Sequence, residues 1–182
     1  MDVKTLQLIF ALLVFVAMAL VVAYWSVAFA ARTGRLQQLA SDLHRVAPVL
    51  AWMVATTCML GSLYFSETAN FEPCRLCWYQ RICVYPIAII MTVALIRRAR
   101  DAAPYVITLA SIGIGVSTYH YLVEWYPTLE SNVCSVDVPC TTVWFREFGF
   151  VSLPFMALTG FVTIVTVLLA PRVAGVTKSV SE

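Results

Sequence analysis

Charged residues are absent from long stretches of this chain, and those stretches have the length of membrane spans. Residues 6–31 run for 26 positions without Asp, Glu, Lys or Arg. Four more apolar runs follow, at 47–65, 78–96, 104–125 and 150–170. The third carries Arg81 near its start, and the fourth carries His120 and Glu124 near its end. An α-helix rises about 1.5 Å per residue, so each run can cross a hydrocarbon core of about 30 Å. Backbone groups in lipid need partners within their own segment, which selects helices. The period-two alternation of a membrane barrel is missing. The pattern predicts an all-α, polytopic membrane helix bundle of five spans.

Composition agrees. Of the 182 residues, 61% are hydrophobic and 12% charged, about half the charge of an average soluble domain. The net charge is +2 with no basic stripe, so nothing points to nucleic acid. Where the positive charges sit is more informative. Arg32, Arg35, Arg45, Arg97, Arg98, Arg100, Arg172 and Lys178 fall on one side of a five-span arrangement; Lys4, Arg75, Arg81 and Arg146 fall on the other. The positive-inside rule puts the N-terminus outside and the C-terminus in the cytoplasm. Segments 66–77 and 127–149 then lie outside. Ala28-Phe29-Ala30 resembles a signal-peptidase site, but the apolar run exceeds a signal core and the start carries both Asp2 and Lys4. Cleavage would also export the arginine-rich turn at 97–100, so span one reads as a retained anchor. Ser111, Gly113, Gly115 and Ser117 form two small-xxx-small pairs, which allow close helix packing in span four.

The six cysteines carry the chemistry. Cys74 and Cys77, and Cys134 and Cys140, form pairs in the two outer segments, where disulfides form and persist. In Cys74-Arg75-Leu76-Cys77 the sulfurs can meet if the chain turns, and Pro73 restricts Glu72 to extended conformations. Cys77 is expected at or just before the start of span three, where the helix dipole favours a thiolate. Arg81 lies one turn deeper on the same face. A stabilised thiolate is a good leaving group. The competing readings are an inert bridge or a zinc half-site completed by Cys134 and Cys140. Cys134 and Cys140 flank Ser135-Val136-Asp137-Val138-Pro139; so short a ring adds little stability, which makes a structural role a weak reason for it. Trp144, Phe145 and Phe148 share one helical face, so 141–150 reads as a short helix in the membrane interface. An ordinary aromatic belt explains the aromatics equally well. Cys58 and Cys83 lie inside spans and read as packing.

The stretch Cys74-Arg-Leu-Cys-Trp-Tyr-Gln-Arg81 resembles the signature of the DsbB family, including its BdbC members. His120-Tyr-Leu-Val-Glu-Trp-Tyr-Pro127, the Cys134/Cys140 loop, and Phe148-Gly-Phe-Val-Ser-Leu-Pro154 are similar to it as well. The resemblance implies a membrane thiol:quinone oxidoreductase. A soluble DsbA-like oxidase of thioredoxin fold would deliver two electrons to the loop pair. They would pass to Cys74 and Cys77 and then to a membrane quinone, ubiquinone or menaquinone. Carried over by position, Cys134 would meet the partner, Cys140 would exchange with Cys74, and Cys77 would face the quinone. Arg81 would hydrogen-bond the quinone; as an interfacial residue it also suits a snorkelling anchor. His120 is a candidate quinone ligand, a cap for span four, or a partner for Glu124. The resemblance divides the chain into 1–46, an N-terminal helix with its cytoplasmic connection, and 47–182, a DsbB-like four-helix redox unit. Two features depart from the family pattern: the extra leading span and the closer spacing of the loop pair. The rivals are a vitamin-K-epoxide-reductase-like enzyme, in which the loop pair precedes C-x-x-C, and a non-catalytic protein with structural disulfides.

Overall fold

The computed structural model describes residues 2–99, 101–130, 134 and 138–174. Five long helices follow one another: α1 (Val3–Arg32), α2 (Gln37–Leu63), α3 (Arg75–Arg97), α4 (Ala103–Trp125) and α5 (Leu153–Val173). All five are long and apolar enough to span a membrane. Among the described residues there is no strand, only an isolated bridge between Glu147 and Val151.

The helix ends differ from the apolar runs for identifiable reasons. The second helix begins at Gln37, ten residues before the run at 47–65, so most of the expected connection is helical. Its polar first turns bury Ala40 and Ala47 while leaving their other faces exposed. Helix formation does not stop where the hydrocarbon does. A π-helical turn, Tyr64–Thr68, closes the other end of α2. The fifth helix starts at Leu153 rather than Phe150, with Pro154 in the first turn, where a missing N–H costs nothing.

The centre of the bundle is α5, which packs against α4, α2 and α1, while α3 fills the space between α2 and α4. Its most apolar stretch is 56% buried, against 17% for α1. The core contains Ile87, Val106, Ala110, Phe161 and Ile164. The small residues of α4 divide by face. Ser117 is fully buried, and a Cβ on Gly113 would lie 2.5 Å from the Phe161 ring, whereas Gly115 meets nothing.

The expected interfacial helix over 141–150 does not form. Residues 141–150 make turns instead, and the short helix of this segment is a single 3-10 turn at Pro127–Leu129. Phe148 and Gly149 both take left-handed backbone angles (φ 51° and 79°). The reversal is closed by paired backbone hydrogen bonds between Glu147 and Val151, each 2.9 Å. The aromatic side chains have separate partners. Trp144 stacks on Phe71 at 4.8 Å, Phe145 meets Phe65 at 5.6 Å, and Phe148 meets Phe15 of α1 edge-on at 5.3 Å.

The antiparallel order of the helices gathers both cysteine pairs at one end. Arg32, Arg97, Arg98 and Arg172 sit at the other, where the Arg32 Nε donates to the Val173 carbonyl at 3.4 Å. Arg100 and Lys178, counted above with this arginine-rich end, lie outside the described residues.

Candidate redox site

The helix begins at Arg75, so Cys74, not Cys77, takes the N-cap position, and Cys77 sits in the first turn. With extended backbone angles (φ −66°, ψ 171°), Cys74 turns its side chain back over the helix start. Its sulfur accepts the Cys77 backbone N–H at 3.3 Å, the service that Ser or Asp usually performs at this place. The C-x-x-C spacing therefore matches the distance from an N-cap to the third residue of a helix. Both residues are free thiols with their sulfurs 2.9 Å apart.

Several groups converge on Cys74, which is 6% exposed. The His120 Nε2 lies 3.6 Å from its sulfur, and the Gln80 amide lies 3.3 Å from Nδ1. A Gln80 N–H donated to Nδ1 leaves Nε2 as the donor toward the sulfur. The Cys74 thiol is held down at about 4, mainly by the hydrogen bond from the Cys77 thiol; burial opposes this, and His120 and the Cys77 backbone N–H reinforce it. A thiolate at this N-cap is thus stabilised at neutral pH.

Behind His120, one α4 turn on, the buried Glu124 accepts a hydrogen bond from the Ser152 hydroxyl. The Arg146 Nη2 approaches the same carboxylate at 4.0 Å, and its guanidinium stacks over Trp125 at 4.2 Å. These contacts tie the end of α4 to the start of α5 and to the aromatic loop.

Cys134 and Cys140 form a disulfide. Residues 135–137, inside its ring, lie outside the described residues. The Cys140 N–H donates to the Glu130 carboxylate at 2.9 Å, which fixes one side of the ring. Cys140 is buried in one cluster with Cys74, Leu76 and Val123, and Cys77 and Cys134 pack against it. The fold therefore brings together two pairs that are far apart in sequence. With Cys134 and Cys140 bonded to each other, they offer no thiolates to a zinc site shared with Cys74 and Cys77. The trio Cys74, Cys77 and His120 places its ligand atoms within 4.8 Å of one another, one donor short of a closed tetrahedral zinc site.

On the other side of the thiols a largely apolar cavity of ≈ 330 Å³ extends into the bundle between α1, α2, α3 and α5. Cys77, Gln80 and Arg81 line its cysteine-bearing end. Arg81 is 8% exposed; its Nη2 donates to the Ser62 carbonyl at 3.1 Å and its guanidinium lies 5.1 Å from the centre of the Trp78 ring. That burial sets it apart from a side chain reaching for the interface. His120 does not line this cavity. It faces a smaller one with Cys74, Cys77, Glu124 and Pro139. Cys58 lines the large cavity at mid-depth, while Cys83 is buried in the core.

Gln80, Glu130, Arg146 and Ser152 were not singled out from the sequence. Gln80 had a signal, being an uncharged polar residue inside an apolar span. Glu130, Arg146 and Ser152 had none, because each acts across a chain reversal.

The family model described as "Disulfide bond formation protein DsbB" matches residues 44–171. Among curated relatives, "Probable disulfide formation protein C" of Halalkalibacterium halodurans is 44% identical over 115 residues, covering 63% of this chain and 84% of that protein. "Disulfide bond formation protein C" of Bacillus subtilis is 42% identical over 116 residues, covering 63% and 84%. "Probable disulfide formation protein C 2" of Bacillus anthracis is 40% identical over 119 residues, covering 65% and 85%. No solved structure matches significantly. The paired thiols, the neighbouring disulfide and these matches agree that the chain belongs to the DsbB family of membrane disulfide bond formation proteins.

Proposed function

We propose that the chain is a quinone-dependent protein disulfide oxidoreductase of the bacterial inner membrane. It reoxidises an extracytoplasmic DsbA-like dithiol oxidase and passes the electrons to ubiquinone or menaquinone. One observation carries this reading: Cys74 lies against the loop disulfide, while Cys77 lines an apolar cavity that opens beside a buried arginine.

A thiolate of the reduced partner attacks the Cys134–Cys140 disulfide and forms a mixed disulfide, with one loop sulfur leaving as a thiolate. The partner's second thiolate then attacks the partner's own sulfur in the mixed disulfide and expels the remaining loop sulfur, which leaves the partner oxidised and the loop pair as a dithiol. The Cys140 thiolate then attacks Cys74 of a Cys74–Cys77 disulfide and expels Cys77, and the Cys134 thiolate attacks Cys140 and expels Cys74, so that the helix pair is reduced while the loop disulfide re-forms. A bonded loop pair beside free Cys74 and Cys77 corresponds to the stage after this exchange. His120 and the N-cap favour Cys74 as the leaving thiolate in that step. The cavity fits a quinone, being apolar along its length with donors at the thiol end. Cys77, Arg81 and Gln80 would hold the ring there. A bound quinone supplies an acceptor for two electrons and two protons. His120, at the sulfur rather than in this cavity, is assigned to Cys74 in this scheme. The redox unit is residues 47–182, with the cysteine-bearing end outside and the arginine-bearing end in the cytoplasm, following the positive-inside rule.

Purified protein in detergent, given a reduced thioredoxin-fold oxidase and added quinone, should reduce quinone in step with partner oxidation, and Cys77→Ser should be silent. Wild type that stays silent with both quinone types, while folded, would remove the quinone-linked reading.

A further inference from the structure

The family match starts at residue 44, so α1 lies outside it. Yet α1 supplies one whole wall of the apolar cavity, through Phe10, Leu13, Val14, Val16, Ala17 and Leu20. Phe10, Leu13, Ala17 and Leu20 are spaced three or four residues apart, and Val14 and Val16 flank them, so the set covers one side of the helix. Across the cavity the lining follows α5 from Leu153 to Val167, roughly 20 Å of helix at about 1.5 Å per residue. A ring held at Cys77 and Arg81 would occupy only the cysteine-bearing end. The rest is an apolar corridor running toward the middle of the bundle.

Two further features shape the corridor. Near the thiols Phe10 closes against α2: Gly61 leaves room for its ring, since a Cβ there would lie 2.6 Å away, and the ring also meets Phe65 at 5.6 Å. Along its length α1 leans on α5 and touches α2 much less, which leaves the α1–α2 seam a lightly packed side wall. The helix itself is anchored. Ala11 and Val14 pack with Val151, and Phe15 contacts Phe148 and Phe150 of the turn before α5.

We propose that α1 converts the acceptor site into a corridor for an isoprenoid tail, with the α1–α2 seam as its exit to lipid, so that this helix sets tail selectivity. The inference rests on the quinone reading above and adds to it a role for the helix that the family match omits. A bulky side chain at Ala17 should block the tail and leave the ring site free.

The test is equilibrium binding to the full-length protein, read by quenching of tryptophan fluorescence, with Trp144 on the cavity wall as reporter. Menadione and menaquinone-4 share a ring and differ in the tail; ubiquinone-0 and ubiquinone-2 form a second such pair. For Ala17→Phe the dissociation constant of the tailed ligand should rise at least about tenfold, while that of its tailless mate stays within about twofold. Leu20→Trp should behave alike and serves if Ala17→Phe folds poorly. Met18→Phe, on an exposed position outside the cavity lining, should change neither. Equal loss of both ligands, or unchanged binding of both, in the folded narrowing variants overturns the corridor while leaving the quinone site standing. Wild type that binds no member of either pair overturns the quinone reading and the corridor with it.

Discussion

At the scale of single residues, the site is a helix start in which sulfur replaces the usual capping oxygen. Because Cys74 accepts a hydrogen bond from the Cys77 thiol, and is also N-cap and neighbour of His120, its thiolate should persist through neutral pH and disappear only as pH falls through about 4. An unfolded thiol titrates far higher, so the depressed value stabilises the reduced folded protein above the unfolded pKa. That contribution is lost as pH falls through the folded one. Ultraviolet thiolate absorbance of the reduced protein should follow this titration, and His120→Ala should move it upward; an unmoved curve would mean that His120 does not act on the sulfur. Cys74→Ser and Cys77→Ser should each abolish turnover with reduced partner. Arg81→Ala should raise the KM for quinone by about tenfold or more, the loss expected for one charge-assisted hydrogen bond, with oxidation of the partner by the loop disulfide in a single turnover unchanged. Cys58→Ala should retain near-normal activity, since its thiol reaches neither pair and the change removes a single atom from the wall of the large cavity; a folded but inactive variant would contradict its role as packing.

At the scale of elements, the two small-residue pairs of α4 look alike in sequence and differ in use. Gly113 lets the Phe161 ring approach, and Gly115 faces open space. Gly113→Ala should cost about 1–3 kcal/mol through overpacking. Gly115→Ala should be neutral or stabilising by up to about 1 kcal/mol, because alanine restricts the unfolded chain. Denaturant unfolding in detergent separates the two, and equal effects would refute the facial assignment. The aromatic loop shows the limit of periodicity. Three residues sharing a helical face were enough to suggest a helix over 141–150, but the Phe148-Gly149 reversal and the separate partners of Trp144, Phe145 and Phe148 prevail. Three positions are too few for spacing to outweigh tertiary contacts. The opposite error occurred at α2, where a polar stretch read as connection is helix, because hydropathy reports the bilayer boundary and not the hydrogen-bond pattern.

At the scale of the whole molecule, the bundle gathers Arg32, Arg97, Arg98 and Arg172 at one end and its cysteine pairs at the other, where Arg81 and Arg146 are the arginines drawn into the site. A reporter that is active only in the cytoplasm should work when fused to the C-terminus and fail when inserted in the 66–72 segment; the reverse result would invert the orientation. The sequence by itself determined the five spans and the four paired cysteines, because burying backbone in lipid and pairing cysteines leave marks on composition and local spacing. It also carried Arg81, as a charge inside an apolar run. Tertiary structure alone decided that Cys74 caps the helix and lies with Cys140, that His120 serves the sulfur rather than the large cavity, that Glu130 holds the loop disulfide, and that α1 walls the cavity. Each of these is a contact between segments distant in the chain, and such contacts depend on how the helices are rotated and seated against one another, which hydrophobic patterning along a single helix in lipid does not specify.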